Sequence, residues 1–163
     1  MSPKCSTCQC SQCRKNGGSL IAWLHKVPIS SVAFTSQTTL SRYHATPDAA
    51  RGFCTNCGSW LFWRSEKSNS MSMSVGTFDQ EELKQWGQKL AYSEVHLWSE
   101  DAIEGISDHL PGEKWKYHDK GEGIERIGYI TKFENQDGAL GVLMVSLNIV
   151  PFEMKLYNAG LAI

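Results

Sequence analysis

The chain is 163 residues long and carries 16 Lys and Arg against 17 Asp and Glu, a net charge of −1, so it lacks the positive excess of a broad nucleic-acid surface or a polybasic membrane patch. At 41% hydrophobic and 20% charged, its composition is that of a soluble folded protein, not of a disordered or fibrous one. A chain of this length fits one domain, which buries roughly two-thirds of its unfolded surface and needs no disulfides to build a core.

The N-terminal stretch, residues 1–16, is polar and cysteine-rich with no apolar centre, so no secretory signal is expected. That points to a reducing compartment, the cytoplasm or the nucleus, where clustered cysteines favour metal binding or catalysis over disulfides. No run of about 20 apolar residues predicts a transmembrane helix. The longest apolar stretch, residues 139–152, is interrupted by Ser146, Asn148 and Pro151.

After Gly17-Gly18, the run Leu20–Leu24 predicts a buried strand. Val32–Thr35 and Leu40–His44 are rich in β-formers, with turn signals at Ser36-Gln37-Thr38 and Thr46-Pro47-Asp48. Gly52-Phe53-Cys54 leads into a turn, and Trp60–Trp63 predicts another apolar strand. In Ser70–Val75, Met71, Met73 and Val75 alternate with three serines, the period of a half-buried strand. Asp79 and Glu82 have the spacing of a capping box for a helix whose Leu83, Trp86 and Leu90 share a face, with Gly87 as its expected end. Tyr92–Trp98 predicts a strand with Val95 and Leu97 on one side. Residues 124–163 contain no Cys, Trp or His, and Leu143, Val145, Leu147 and Ile149 alternate with other side chains. They predict either one more strand or an appendage to a domain spanning 1–123. The fold class is mainly β with one short helix.

The six cysteines are Cys5, Cys8, Cys10, Cys13, Cys54 and Cys57, all within the first 57 residues. Cys8-Gln9-Cys10-Ser11-Gln12-Cys13 places three thiols within six residues, able to converge on one ion if the backbone turns tightly. Cys54-Thr55-Asn56-Cys57-Gly58 has the shape of a zinc knuckle, with Gly58 free to take a positive φ. Thiolate ligands at such spacing suit Zn²⁺. Two arrangements fit the spacing. Cys10, Cys13, Cys54 and Cys57 would make a purely structural four-cysteine site. Cys8, Cys10 and Cys13 would make a three-ligand site with an exchangeable fourth position, the pattern of catalytic zinc, which can hold a substrate thiol as thiolate. The surplus of Cys5 and Cys8 favours the second. A disulfide framework and an iron–sulfur cluster are lesser alternatives.

Cys8-Gln9-Cys10-Ser11-Gln12-Cys13-Arg14-Lys15 resembles the C-x-C-S-x-C-R-K signature of the glutathione-dependent formaldehyde-activating enzyme family, which includes centromere protein V. The similarity continues through Gly52-Phe53-Cys54-Thr55-Asn56-Cys57-Gly58-Ser59, Val75-Gly76-Thr77-Phe78-Asp79, His96-Leu97-Trp98 and Leu110-Pro111 with Trp115, covering about residues 5–123. The resemblance implies a β-tent fold with two zinc positions. Cys8, Cys10 and Cys13 correspond to the substrate-facing zinc, and Cys54 and Cys57 to half of the structural zinc. It also implies carbon–sulfur lyase chemistry that interconverts S-hydroxymethylglutathione with formaldehyde and glutathione. The family completes its structural zinc with a C-x-C on a strand upstream of the C-x-C-x2-C segment. Here only Cys5 precedes Cys8, so that strand is expected to be missing, with Cys5 as a weak substitute ligand and the 124–163 segment as a replacement for packing alone.

Arg14 and Lys15 flank the cysteines, and Arg14 in particular could take a carboxylate of a glutathione-like substrate; Arg51 is a further candidate. His44 and His96 fall on predicted strands, where hydrogen-bonded or surface roles are commoner than ligation. Trp23, Trp60, Trp63 and Trp98 read as core and rim, and Ser11 and Ser59 as hydrogen-bond partners of sulfur or as turn residues. The leading expectation is a zinc lyase acting on a small thiol such as glutathione, with neither membrane nor nucleic acid as partner. The competing expectation is a non-catalytic interaction module stabilised by zinc.

Overall fold

Short apolar runs separated by turn residues fold into one sheet of nine strands across the described residues, 4–130 of a computed structural model. In chain order the elements are β1 (Lys4–Cys8), α1 (Ser11–Gly17), β2 (Ala22–Pro28), β3 (Leu40–Thr46), β4 (Ala49–Cys54) and β5 (Trp60–Ser65). They continue with β6 (Ser70–Ser74), α2 (Gln80–Ala91), β7 (Val95–Leu97), β8 (Gly112–Trp115) and β9 (Arg126–Ile130). The strands lie in the order β3-β4-β5-β6-β2-β1-β7-β8-β9. Pairing is antiparallel except that β7 runs parallel to both β1 and β8. The fold is therefore mainly β, as its composition and periodicity suggest.

Two apolar clusters form around this sheet. The larger gathers Leu61, Phe62, Met71, Met73 and Val75 with Leu90 from α2. The smaller gathers Cys8, Cys13, Ala22, Leu24 and Trp60, with Cys10, Trp63 and Trp98 packed at its edge. Alternation along β1 divides the cysteines between them. Cys5 pairs with His25 and Cys8 with Ala22; an odd offset of three residues puts their side chains on opposite faces of the strand. Cys5 accordingly belongs to the larger cluster and Cys8 to the smaller.

The alternation of Ser70–Ser74 is realised in β6, where Met71 and Met73 are buried between partly exposed serines. Four local expectations need correction. The helix begins after Asp79, but the Asp79 side chain makes no capping hydrogen bond, so the capping box is not formed. It runs through Gly87 to Ala91; packing of Leu83 and Leu90 against the larger cluster outweighs the roughly 1 kcal/mol that an interior glycine costs relative to alanine. Val32–Thr35 is not a strand but follows a 3₁₀ turn, with Phe34 reaching the core against Phe62 at a ring separation of 6.0 Å. In β7 the residue most deeply buried is His96, not Val95 or Leu97. A second helix, α1, also forms within the cysteine segment. The strand expected over 143–149 lies outside the described residues. The start of the 124–163 segment adds β9 to the sheet by pairing with β8. Among the described residues no helix is long and apolar enough to cross a membrane.

His96 is tolerated in the interior because both ring nitrogens are engaged. Nε2–H donates to the Pro111 carbonyl at 2.8 Å, which leaves Nδ1 to accept from the Thr7 hydroxyl at 2.7 Å. Burial pushes its pKa below the ordinary imidazole range, opposed by the Pro111 carbonyl and reinforced by nearby Lys114. His25 is lowered likewise by burial, opposed by a backbone hydrogen bond at Leu90. Both rings are neutral when folded, whereas the unfolded chain takes up protons near the ordinary value of about 6.5. Stability is therefore present above that pH and is lost as pH falls through the depressed native values. The urea midpoint should fall between pH 7.5 and pH 5.5, with a smaller fall in His96→Gln; equal falls in wild type and variant would contradict this role for His96.

Candidate metal centre

β1 delivers Cys8 to the smaller cluster, and the chain then leaves the sheet to enter α1. Cys10 occupies the N-cap position, and its sulfur accepts the Cys13 N–H at 3.3 Å. The Arg14 N–H bonds to the Cys10 carbonyl at 3.0 Å. This first turn buries Cys13, the only buried residue of α1. Gly18 ends the helix at φ 61°, donating its N–H to the Arg14 carbonyl, in the left-handed conformation that glycine adopts at little cost. The two-residue step from Cys8 to Cys10 and the helical step from Cys10 to Cys13 together bring all three Sγ atoms within 4.8 Å of one another.

Three thiols at this spacing cannot ionise independently. Hydrogen bonds from Cys13, then from Cys8, hold the Cys10 thiol well below the usual thiol range. Cys8 is pushed far above it, first by its hydrogen bonds to Cys10 and Cys13 and then by burial. Cys13 is pushed up to about 11, chiefly through its bond to Cys10. Closeness of the three thiols therefore opposes ionising more than one of them. A divalent cation lifts that limit because it balances the charge of deprotonated thiolates. Three soft, mutually close donors fit a thiophilic metal ion, with room in a tetrahedral set for one exchangeable ligand.

The surroundings are aromatic and basic. Trp60 is buried beside the cysteines, and Trp63 and Trp98 lie at the rim. Trp98 has φ 56°, the one positive φ outside glycine among the described residues, a conformation that is strained for a bulky side chain and that clusters at functional sites. It is held by a 2.9 Å hydrogen bond from its N–H to the Tyr117 carbonyl and by ring contacts with Tyr117 at 4.8 Å and His118 at 5.5 Å. Arg51 is 5% exposed, its Nε has no hydrogen-bond partner among the described residues, and its charge lowers the pKa of Cys13. Arg14 is partly buried, with its Nε likewise unpartnered, whereas Lys15 is exposed.

The other cysteines lie apart from this group. Cys54 and Cys57 form a knuckle in which Gly58, at φ 77°, donates to the Cys54 carbonyl at 2.8 Å. Ser59 Oγ lies 3.2 Å from Cys57 Sγ, but no such contact joins Ser11 to a sulfur among the described residues. The Thr39 hydroxyl, followed by the Cys57 backbone, lowers the Cys54 thiol to about 7. Cys54 is buried and Cys57 exposed. Among the described residues no third His, Cys, Asp or Glu donor joins this pair, and Cys10 and Cys13 are not gathered with it into a four-cysteine site. Cys5 is buried in the larger cluster, where desolvation raises its thiol to about 11. All six cysteines are free thiols. His44 is exposed, 3.5 Å from a Glu66 carboxylate oxygen, and His96 is committed to Thr7 and Pro111, so neither approaches the sulfurs as a ligand.

Sequence reasoning did not single out Thr7, Gln9 or Ser107, which are buried behind the cysteine segment. Ser107 Oγ–H donates to Gln9 Oε1 at 2.6 Å, and Gln9 Nε2 donates to the Ser107 carbonyl at 3.0 Å. The one available signal was the position of Gln9 between two cysteines, since nothing in the sequence pairs it with a serine 98 residues away.

The triad, its aromatic rim and the β-sheet that carries them agree with the family comparison. The chain belongs to the glutathione-dependent formaldehyde-activating enzyme family, whose model matches residues 1–101. That span includes all six cysteines, Arg14, Arg51 and Trp98, and it ends before Ser107 and Pro111. No curated protein matches the chain.

Metal content after loading with excess zinc and desalting tests the triad. Wild type should retain one more equivalent than Cys8→Ser, because Cys8 is one of three donors. Equal content in the two proteins would contradict the site.

Proposed function

We propose that this protein is a zinc-dependent carbon–sulfur lyase that interconverts S-hydroxymethylglutathione with formaldehyde and glutathione. The observation that carries the proposal is the convergence of Cys8, Cys10 and Cys13 within 4.8 Å on a chain of the formaldehyde-activating family. Bound zinc would supply Lewis acidity and a lowered thiol pKa at its open position. In the synthetic direction a C–S bond forms between the glutathione sulfur and the formaldehyde carbon, the C=O double bond becomes a single bond, and the thiol proton ends on that oxygen. The reverse direction breaks the same C–S bond and returns the proton to sulfur.

The protein's own residues bind and orient. The buried Arg51 guanidinium offsets the negative charge of three thiolates, which would leave a divalent centre with net charge −1. Arg14, one residue beyond Cys13 and only partly buried, offers a carboxylate of the tripeptide a bidentate partner. Trp63 and Trp98 pack against the cysteine cluster and would shield the reacting sulfur from bulk water. Free cysteines and a plentiful glutathione pool are conditions of the cytoplasm or nucleus.

Exchange between formaldehyde, glutathione and their adduct can be followed by NMR magnetisation transfer. The zinc-loaded protein should raise the exchange rate above the spontaneous one, and a chelator or Cys8→Ser should return it to that baseline. A spontaneous rate with fully zinc-loaded protein would contradict the proposal.

A further inference from the structure

Cys8 lies between two residues that reach the opposite way. Thr7 and Gln9 are both 0% exposed, and their side chains meet His96 and Ser107, which are each 1% exposed. Cys8 thus joins the other two cysteines of the triad, while the residues on either side of it contact β7 and the segment that follows.

The two flanking residues are not held equally. Thr7 sits within β1, paired with Trp23 on one side and His96 on the other. Gln9 lies beyond the last residue of β1, where one backbone hydrogen bond, from its N–H to the Leu97 carbonyl at 3.2 Å, ties it to the sheet. Its side chain supplies the remaining restraint through the reciprocal pair with Ser107. Ser107 is itself fixed. Its hydroxyl accepts the Ile103 N–H at 2.9 Å, and its own N–H donates to the Ile103 carbonyl at 2.9 Å. The hydroxyl therefore both donates and accepts, and the turn presents donor and acceptor together to one amide.

We propose that Gln9 and Ser107 act as a positioning clamp for the metal centre: by fixing the peptide between Cys8 and Cys10 from behind, the 103–107 turn holds their sulfurs at the spacing a metal ion requires. Neither residue touches a sulfur or a substrate, and Ser107 lies outside the family-matched residues. The proposal rests on the triad being a metal site, and the test separates the two. Groups behind metal ligands commonly alter affinity by about 10- to 100-fold when removed. Removing the Ser107 hydroxyl, which takes away one of the two bonds that hold the Gln9 amide and leaves the other, should therefore loosen the ligand spacing enough to measure.

Co²⁺ serves as the probe, its affinity measured by competition with a chromophoric chelator and its ligand field by absorption. Ser107→Ala should weaken Co²⁺ binding about tenfold or more and alter the d–d bands, at a temperature where circular dichroism shows the variant folded. Thr7→Val breaks a buried hydrogen bond of the same belt but leaves the strand ladder intact; it should lower thermal stability yet keep wild-type affinity and spectrum. Wild-type binding by Ser107→Ala, or equal weakening by Thr7→Val, would overturn the clamp while leaving the metal site standing. Cys8→Ser should lose the thiolate-to-cobalt charge-transfer band; its retention at full strength would overturn the metal site and the clamp with it.

Discussion

Three sulfur atoms held within 4.8 Å of one another impose a charge constraint that the rest of the molecule serves. Without a cation their closeness opposes ionising more than one of them, the Cys10 thiol being lowered while Cys8 and Cys13 are raised. A divalent cation turns competing groups into a common ligand set. The neighbouring structure assembles the group. A strand supplies Cys8, a helical turn supplies Cys10 and Cys13, and a buried guanidinium lies close enough to lower the pKa of Cys13.

Order on one side of the cysteine segment depends on polar contacts behind it. Burying Thr7, Gln9, His96 and Ser107 would be costly if any were left without partners. Each has its partner, and the bonds link the first strand and the residue after it to residues 89 and 98 positions away. The network therefore does two things with one set of atoms. It ties β1 to β7, and it gives the amide of the residue between two candidate ligands both a donor and an acceptor partner. The separate Cys54–Cys57 knuckle has its own local support from Thr39, Ser59 and the Gly58 turn and does not share in this arrangement.

Much of the sheet was legible because its signals are local. The Ser70–Val75 alternation and the Trp60–Trp63 run each report burial through side-chain period or apolar content, and both became strands. The clustering of Cys8, Cys10 and Cys13 was legible for the same reason, since all three candidate ligands lie within one turn and one strand end. What escaped was either non-periodic or long-range. The sequence of α1 has no apolar stripe beyond Cys13, so its helix was hidden in a motif read as a tight turn, and Gly18 was the one terminal signal. His96 broke the polarity rule for a strand interior because its partners, Thr7 and Pro111, come from other elements. Gly87 did not stop α2 because tertiary packing of Leu83 and Leu90 outweighed a local propensity. The fate of Cys5 was in principle readable, because its odd offset from Cys8 on a strand forces the two apart.

A lyase centre of this kind needs a metal with three protein sulfurs and one open position. X-ray absorption fine structure at the zinc edge measures this most directly, using Cys57→Ser loaded with one equivalent of zinc so that the exposed thiol of the second knuckle does not contribute. Three sulfur neighbours and one lighter ligand are predicted for the protein alone, rising to four sulfurs when glutathione is added. Four sulfurs before any thiol is added, or a coordination shell unchanged by glutathione, would contradict it.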